Sequence, residues 1–167
     1  MPIKKLIMRK NFTAQHINIH AKSGFDSITK NLENALGKLD LKVIAKLRED
    51  PKFVEKKIKS DMQGAEDLIL FGSFDHGALL GVSGKSVNAM QYVIGNPLIA
   101  NLMTQHDIRA GLYAPLRVLI FENPDKSVQI EYDLPSSLFG QLGIREIDEV
   151  AVSLDQKIER LIKGVDH

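Results

Sequence analysis

Two stretches of the chain set a histidine against an aspartate: Asp75-His76 in "GSFDHGALLG" and His106-Asp107 in "MTQHDIRAGLYAPLR". With five histidines and no cysteine in the chain, any general base or soft metal ligand comes from a short list. His76 follows an apolar run and precedes small residues, the setting of a strand-to-helix turn whose backbone N–H groups converge. An imidazole placed there suits proton transfer, metal ligation or recognition of a polar ligand. Asp75 is also a good helix N-cap, a role that asks nothing of function.

The remaining candidates carry the same double reading. His106 falls on the apolar face of a helix expected over 97–110, beside Ile99, Leu102 and Met103, and so reads as a buried packing residue. Asp107 points about 100° away around that helix, so the two side chains need separate partners. Arg109, near the helix end, suits the macrodipole. Arg117 interrupts the apolar run "PLRVLIF", and Glu131 and Asp133 share a face of the next strand. A cross-strand ion pair is expected there, with an anion-binding arginine as the alternative. Asn96 before Pro97 is either a cap or the start of an anion-binding helix. His16 and His20 lie in an alternating segment, and on a strand that spacing separates them by roughly 13 Å, too far to share a metal ion.

Several chemistries find no sequence support. No G-x-G-x-x-G follows a strand, and there is no phosphate loop ending in Gly-Lys-Ser/Thr, no H-E-x-x-H and no G-x-S-x-G elbow. "GVSGKS" lacks the four-residue gap between glycines that a phosphate loop requires. Lys+Arg is 22 and Asp+Glu 21, so no general attraction to nucleic acid or anionic membrane is expected. Absence of cysteine excludes disulfides and thiol catalysis and fits a reducing cytoplasm. The basic start "MPIKKLIMRKNF" has no apolar run long enough for a signal-peptide core, and no other segment reaches a membrane span. A cytoplasmic protein is the expectation.

The elements that must hold these residues are marked by period and punctuation. "FTAQHINIHA" alternates as a strand, and Asp26 is expected to cap an amphipathic helix over 27–39. From Lys38 to Lys59 there are eight basic against four acidic residues, on short helices started by Asp40 and by Asp50-Pro51 and ended near Gly64. A solvated helical face is the expected role of that excess, since no aromatic interleaving accompanies it. "DLILFGSF" and "SVNAMQYVIG" read as strands, and "LRVLIFE" and "SVQIEYD" form a hairpin around Asn123-Pro124-Asp125-Lys126. A long amphipathic helix from Glu146 to Lys163 closes the chain. At 167 residues these elements fit one domain, 1–167, of α+β class, with helices packed on a mainly antiparallel or mixed sheet and a charged helical insertion at 40–64.

"GFDSITKNLENAL", "FDHGALL", "YVIGNPLIANLMTQHDIRAGLYAPLRVLIFEN" and "VQIEYDLPSSLFGQLG" together resemble the family known as domain of unknown function 302. The resemblance runs from about residue 14 to the final helix. It implies a compact α+β domain of the type called TT1751-like, a homodimer, and Asp75, His76, Asn96 and Pro97 as family-pattern positions. The simplest family members pass from the first helix through one strand to Asp-His, so segment 40–64 is a departure.

The resulting expectation is a non-enzymatic or regulatory homodimer. It would hold a small polar or anionic ligand near the FDHG turn and the GNP helix start, with Asp75, His76, Asn96, Pro97, Arg109 and Arg117 as binding residues. The alternative is a metal or haem protein with His76 and perhaps His106 as ligands and Asp75 or Asp107 in support. The sequence assigns no catalytic residue and no particular cofactor.

Overall fold

Alternation of apolar and polar residues builds a six-stranded sheet in the computed structural model, which describes residues 7–167. Residues 1–6, and with them much of the basic start of the chain, lie outside the described residues. The strands are β1 (His16–His20), β2 (Gly37–Lys38), β3 (Ile69–Asp75), β4 (Ala89–Gly95), β5 (Leu116–Glu122) and β6 (Val128–Asp133). Their order is β1-β6-β5-β4-β3-β2, with β2 parallel to β3 and every other pair antiparallel. The sheet is therefore mixed.

Register decides which side chains share a face. Ile19, Ile130, Ile120 and Met90 stand in one row across four strands, and Ile17 with Tyr132 and Val118 with Tyr92 form the next. Those rows pack against α1 (Phe25–Ala35) and α7 (Arg145–Val165) through Ile28, Leu32, Ile147, Ala151, Leu154 and Ile158. The 3.6-residue period of both helices supplies the matching stripe. In these terms the molecule is one α+β domain, with helices on a mixed sheet.

The charged segment 40–64 makes a second core. α2 (Leu41–Ile44) is capped by Asp40, and α3 (Pro51–Lys57) by Asp50, whose carboxylate accepts from the Phe53 N–H. The chain then runs through a π-helical turn, Ile58–Met62. Val54, Ile58 and Met62 are buried with Ile69 of β3, while the adjacent Leu70 packs in the main core. Successive strand residues point to opposite faces, so this segment covers the outer face of the sheet at β3. Its lysines remain outside: Lys57 pairs with Asp61, and Lys52 and Lys59 bracket Glu55. The charge is a solvated face, and the segment beneath it is anchored by apolar burial.

Two boundaries differ from the sequence expectation. The first helix starts at Phe25 with Gly24 in the cap position, leaves Asp26 in its first turn, and stops at Ala35. Leu36 is extended and Gly37–Lys38 joins β3, because Gly37 must pass against the backbone of Met62 and Gly64. The helix expected over 97–110 is α5 (Pro97–Thr104), and a separate 3₁₀ turn, Ile108–Leu112, follows. Asp107 starts that turn by accepting from the Arg109 N–H, a local bond that competes with helix continuation. His106 consequently lies exposed in the connection, not in the core.

Candidate functional site

The structure separates the predicted site residues into groups. Asp75 ends β3, and its carboxylate accepts from the Ala78 N–H at the start of α4 (His76–Leu79). It thereby fills the position an anionic ligand would take. His76 is exposed beside it. Asn96 and Pro97 lie at the other end of the antiparallel β3–β4 pair, since Asp75 stands opposite Met90 while Gly95 stands opposite Ile69. Five residue steps along β4 place the FDHG turn and the GNP helix start on the order of 17 Å apart. One small ligand does not span both.

Asn96 is buried and fully used: its Oδ1 accepts from the Leu98 N–H and its Nδ2 donates to the Asp67 carbonyl. Pro97 has no N–H to offer. Arg109 folds back on Asp107, whose two carboxylate oxygens accept from its guanidinium, and the pairing holds the Asp107 carboxyl below its usual range. The side chains of His76 and His106 make no hydrogen bond within the described residues. Nor do those residues contain a group of three or more His, Asp or Glu side chains arranged to hold a metal ion.

Arg117 stands apart. It lies opposite Val93, on the outer face of the sheet, where it is exposed. The expected ion pair with Glu131 or Asp133 does not form; both carboxylates are hydrogen-bonded to a histidine instead. His16 of β1 lies directly across from Asp133; its Nδ1 is 3.1 Å from Asp133 Oδ1 and its Nε2 is 3.1 Å from Glu131 Oε2. Asn18 Nδ2 donates to the second Glu131 oxygen at 2.6 Å. Around Arg117 the outer face forms a groove of about 690 Å³ with Gln91, Glu131, Asp133 and His16 on its floor and Leu112, Tyr113 and Leu138 on its lip. Sequence reasoning missed His16. Its position on a strand was legible, but its partners lie 115 and 117 residues away.

The carboxylates raise the His16 pKa above its ordinary 6.5, the hydrogen bond to Asp133 contributing most and that to Glu131 next. A raised folded-state pKa makes the cluster stabilising below about pH 6.5, and this contribution is lost as pH climbs through the folded-state value. His16→Asn is therefore expected to flatten the pH dependence of the melting temperature on the rising side of pH 6.5. Thermal scans of both proteins between pH 5.5 and 8.5 check this; parallel curves would show that the cluster does not form.

A smaller cavity, about 220 Å³, sits where β4 passes into α5. Phe71, Pro97, Ile99 and Ala100 stand at its partly exposed side, and Met103, Phe139 and Leu154 at its buried end. It shares Ala114, Pro115 and Leu116 with the Arg117 groove as a common wall.

The result is an α+β domain with one helix-covered sheet face, one largely open face and side-chain-lined hollows at the sheet end. The family model described as "Domain of unknown function DUF302" matches residues 46–165, and the chain belongs to that family. Among solved structures, the chain is similar to an uncharacterized conserved DUF302 protein from Bacillus stearothermophilus. The TM-score is 0.65 at 14% identity, with 90% of this chain and 97% of that one covered, a likeness that establishes the fold. No curated protein matches the chain. Among the described residues no helix is long and apolar enough to cross a membrane.

Proposed function

We propose that the protein is a non-enzymatic binding domain that acts as a homodimer and takes a small polar ligand, bearing an anionic group, in the groove around Arg117. The observation that carries this reading is the unpaired guanidinium. Of the six expected binding residues, Arg117 alone combines an exposed charge, no ion pair within the described residues, and a place in a groove. A planar guanidinium favours carboxylate or phosphate, which it can grip with two parallel bonds. Asp133 Oδ2, the one oxygen of the Glu131–Asp133 pair with no hydrogen bond among the described residues, lines the same groove and would accept from a donor on the ligand, such as an amino acid or hydroxy acid carries.

The same face supports the homodimer part of this reading. Val93, Leu119 and Phe121 and the 57%-exposed Phe74 form an apolar strip on the side of the sheet that the helices leave uncovered. An apolar strip on an open sheet face is a surface that a second copy of the chain would cover about a two-fold axis. Native mass spectrometry is expected to give twice the chain mass for the wild type and a monomer for Phe121→Glu.

For the ligand, thermal shift and calorimetry with a panel of amino acids and hydroxy acids are expected to find a binder whose affinity falls at least tenfold in Arg117→Ala. A binder unaffected by that substitution would place the site elsewhere. A panel without any binder would sink the reading.

A further inference from the structure

We infer that the cavity at the β4–α5 junction is a second binding site, distinct from the Arg117 groove, and that it takes an aromatic ring. The argument begins with what its walls lack. Asn96 is the polar side chain among its lining residues, and both ends of that amide are already engaged, with the Leu98 N–H and the Asp67 carbonyl. Pro97 and Pro115 bring no backbone donors. A charged or strongly polar group entering here would lose its hydration and gain no partner, which costs several kcal/mol or shifts it to a neutral form. The occupant is therefore apolar within the cavity, and any polar end it carries stays at the mouth.

Size and wall chemistry narrow the class. A cavity of about 150 Å³ already accepts benzene. At about 220 Å³ this one has room for a larger, fused ring. Two aromatic side chains line it, Phe71 on the exposed side and Phe139 at the buried end, and the Met103 thioether lies between helix and sheet. Aromatic edges and faces gain from pairing with another ring beyond simple area burial, and sulfur adds a favourable contact with a ring. An aliphatic chain of equal volume gains neither. Gly95 lines the cavity between Pro115 and Phe71; a Cβ there would meet Pro115 Cβ at 3.4 Å and Phe71 Cε2 at 3.5 Å.

The test uses the full chain with ¹³C-labelled methionine methyls, titrated with indole and separately with 1-hexanol. Indole is expected to shift the Met103 methyl resonance saturably with sub-millimolar affinity, and 1-hexanol at least tenfold more weakly. Ala100→Leu, which places two further carbons and a methyl branch at the mouth, is expected to weaken indole binding tenfold or more. Ile99→Phe blocks the same mouth from the neighbouring position and serves if Ala100→Leu fails to fold. No saturable shift of Met103 up to the solubility of indole would overturn the site. Equal binding of the two probes would overturn the aromatic class, and indole binding unchanged in a folded mouth variant would overturn the location. Because the Arg117 groove is read by anionic ligands and the Arg117→Ala variant, failure of either site leaves the other standing.

Discussion

Replacing Gly37 with alanine is expected to destabilise the protein by about 3 kcal/mol, at the upper end of what overpacking a well-filled site usually costs. An added Cβ would lie 1.6 Å from the Met62 carbonyl oxygen and 2.7 Å from the Gly64 nitrogen. Both obstacles are backbone, so no side-chain rotation relieves them. The contact is reciprocal, since a Cβ on Gly64 would lie 2.1 Å from the Gly37 nitrogen. Two chain segments cross here without side chains between them, and both glycine N–H groups donate to the same Leu68 carbonyl, at 2.9 and 3.1 Å. The crossing ties segment 40–64 to the end of α1 and to β2 and β3. Urea unfolding followed by circular dichroism measures the loss, and hydrogen exchange is expected to show it first in β2 and in Ile58–Met62. Gly24→Ala provides the comparison, because a Cβ there meets nothing within 4 Å. Its effect is expected to stay within about 0.5 kcal/mol. Equal stability of the two variants would mean that the backbones do not cross as described.

The second large effect belongs to Phe139. Its ring is fully buried in the main core and stands edge-on to Tyr113, with centroids 6.1 Å apart and planes at 78°. Tyr113 in turn meets Phe12 with the same separation and angle, so the N-terminal arm is joined to the core through a row of rings. Phe139 also walls the cavity at the β4–α5 junction. Phe139→Ala removes the ring and merges its volume with that cavity, for which a loss of about 3–5 kcal/mol is expected. Phe139→Leu keeps most of the volume and is expected to cost less than about 1.5 kcal/mol. Denaturant unfolding of both variants decides this. A small loss for alanine would show that the neighbours collapse into the space, and the cavity would then be too pliable to hold a rigid ring.

These two residues show where sequence reading stops. Phe139 sits in the mixed stretch "DLPSSLFGQLG", where nothing nearby tells that its ring is fully buried and walls a cavity at the sheet end. The sequence pattern ran the first helix through Gly37 to residue 39, and what Gly37 requires comes from the backbone of Met62 and Gly64. Arg117 was visible as a charge in an apolar strand, and its expected partners Glu131 and Asp133 were visible too. What decided the outcome was His16, brought across from β1 by strand pairing. The local pattern also extended α5 too far, because the apolar period through His106 continued while the Asp107 side chain started a new turn.

By itself the sequence determined the features whose cause lies within a few residues. Asp40, Asp50-Pro51, Asp75 and Asn96-Pro97 all begin helices as their types dictate, each carboxylate or amide oxygen accepting from an N–H two or three positions on. Alternation or apolar runs marked β1 and β3 to β6, while β2 lay hidden in the expected first helix, and the Asn123–Lys126 turn joined β5 to β6. These devices are short-range, so the chemistry that drives them is written in adjacent letters. Tertiary structure alone decided which strand lies beside which, and with that the His16–Glu131–Asp133 cluster, the separation of the FDHG turn from the GNP helix start, and the face left open around Arg117. Strand pairing is settled by the burial of whole rows of side chains against α1 and α7, a sum over residues far apart in the chain, and no local window contains that sum.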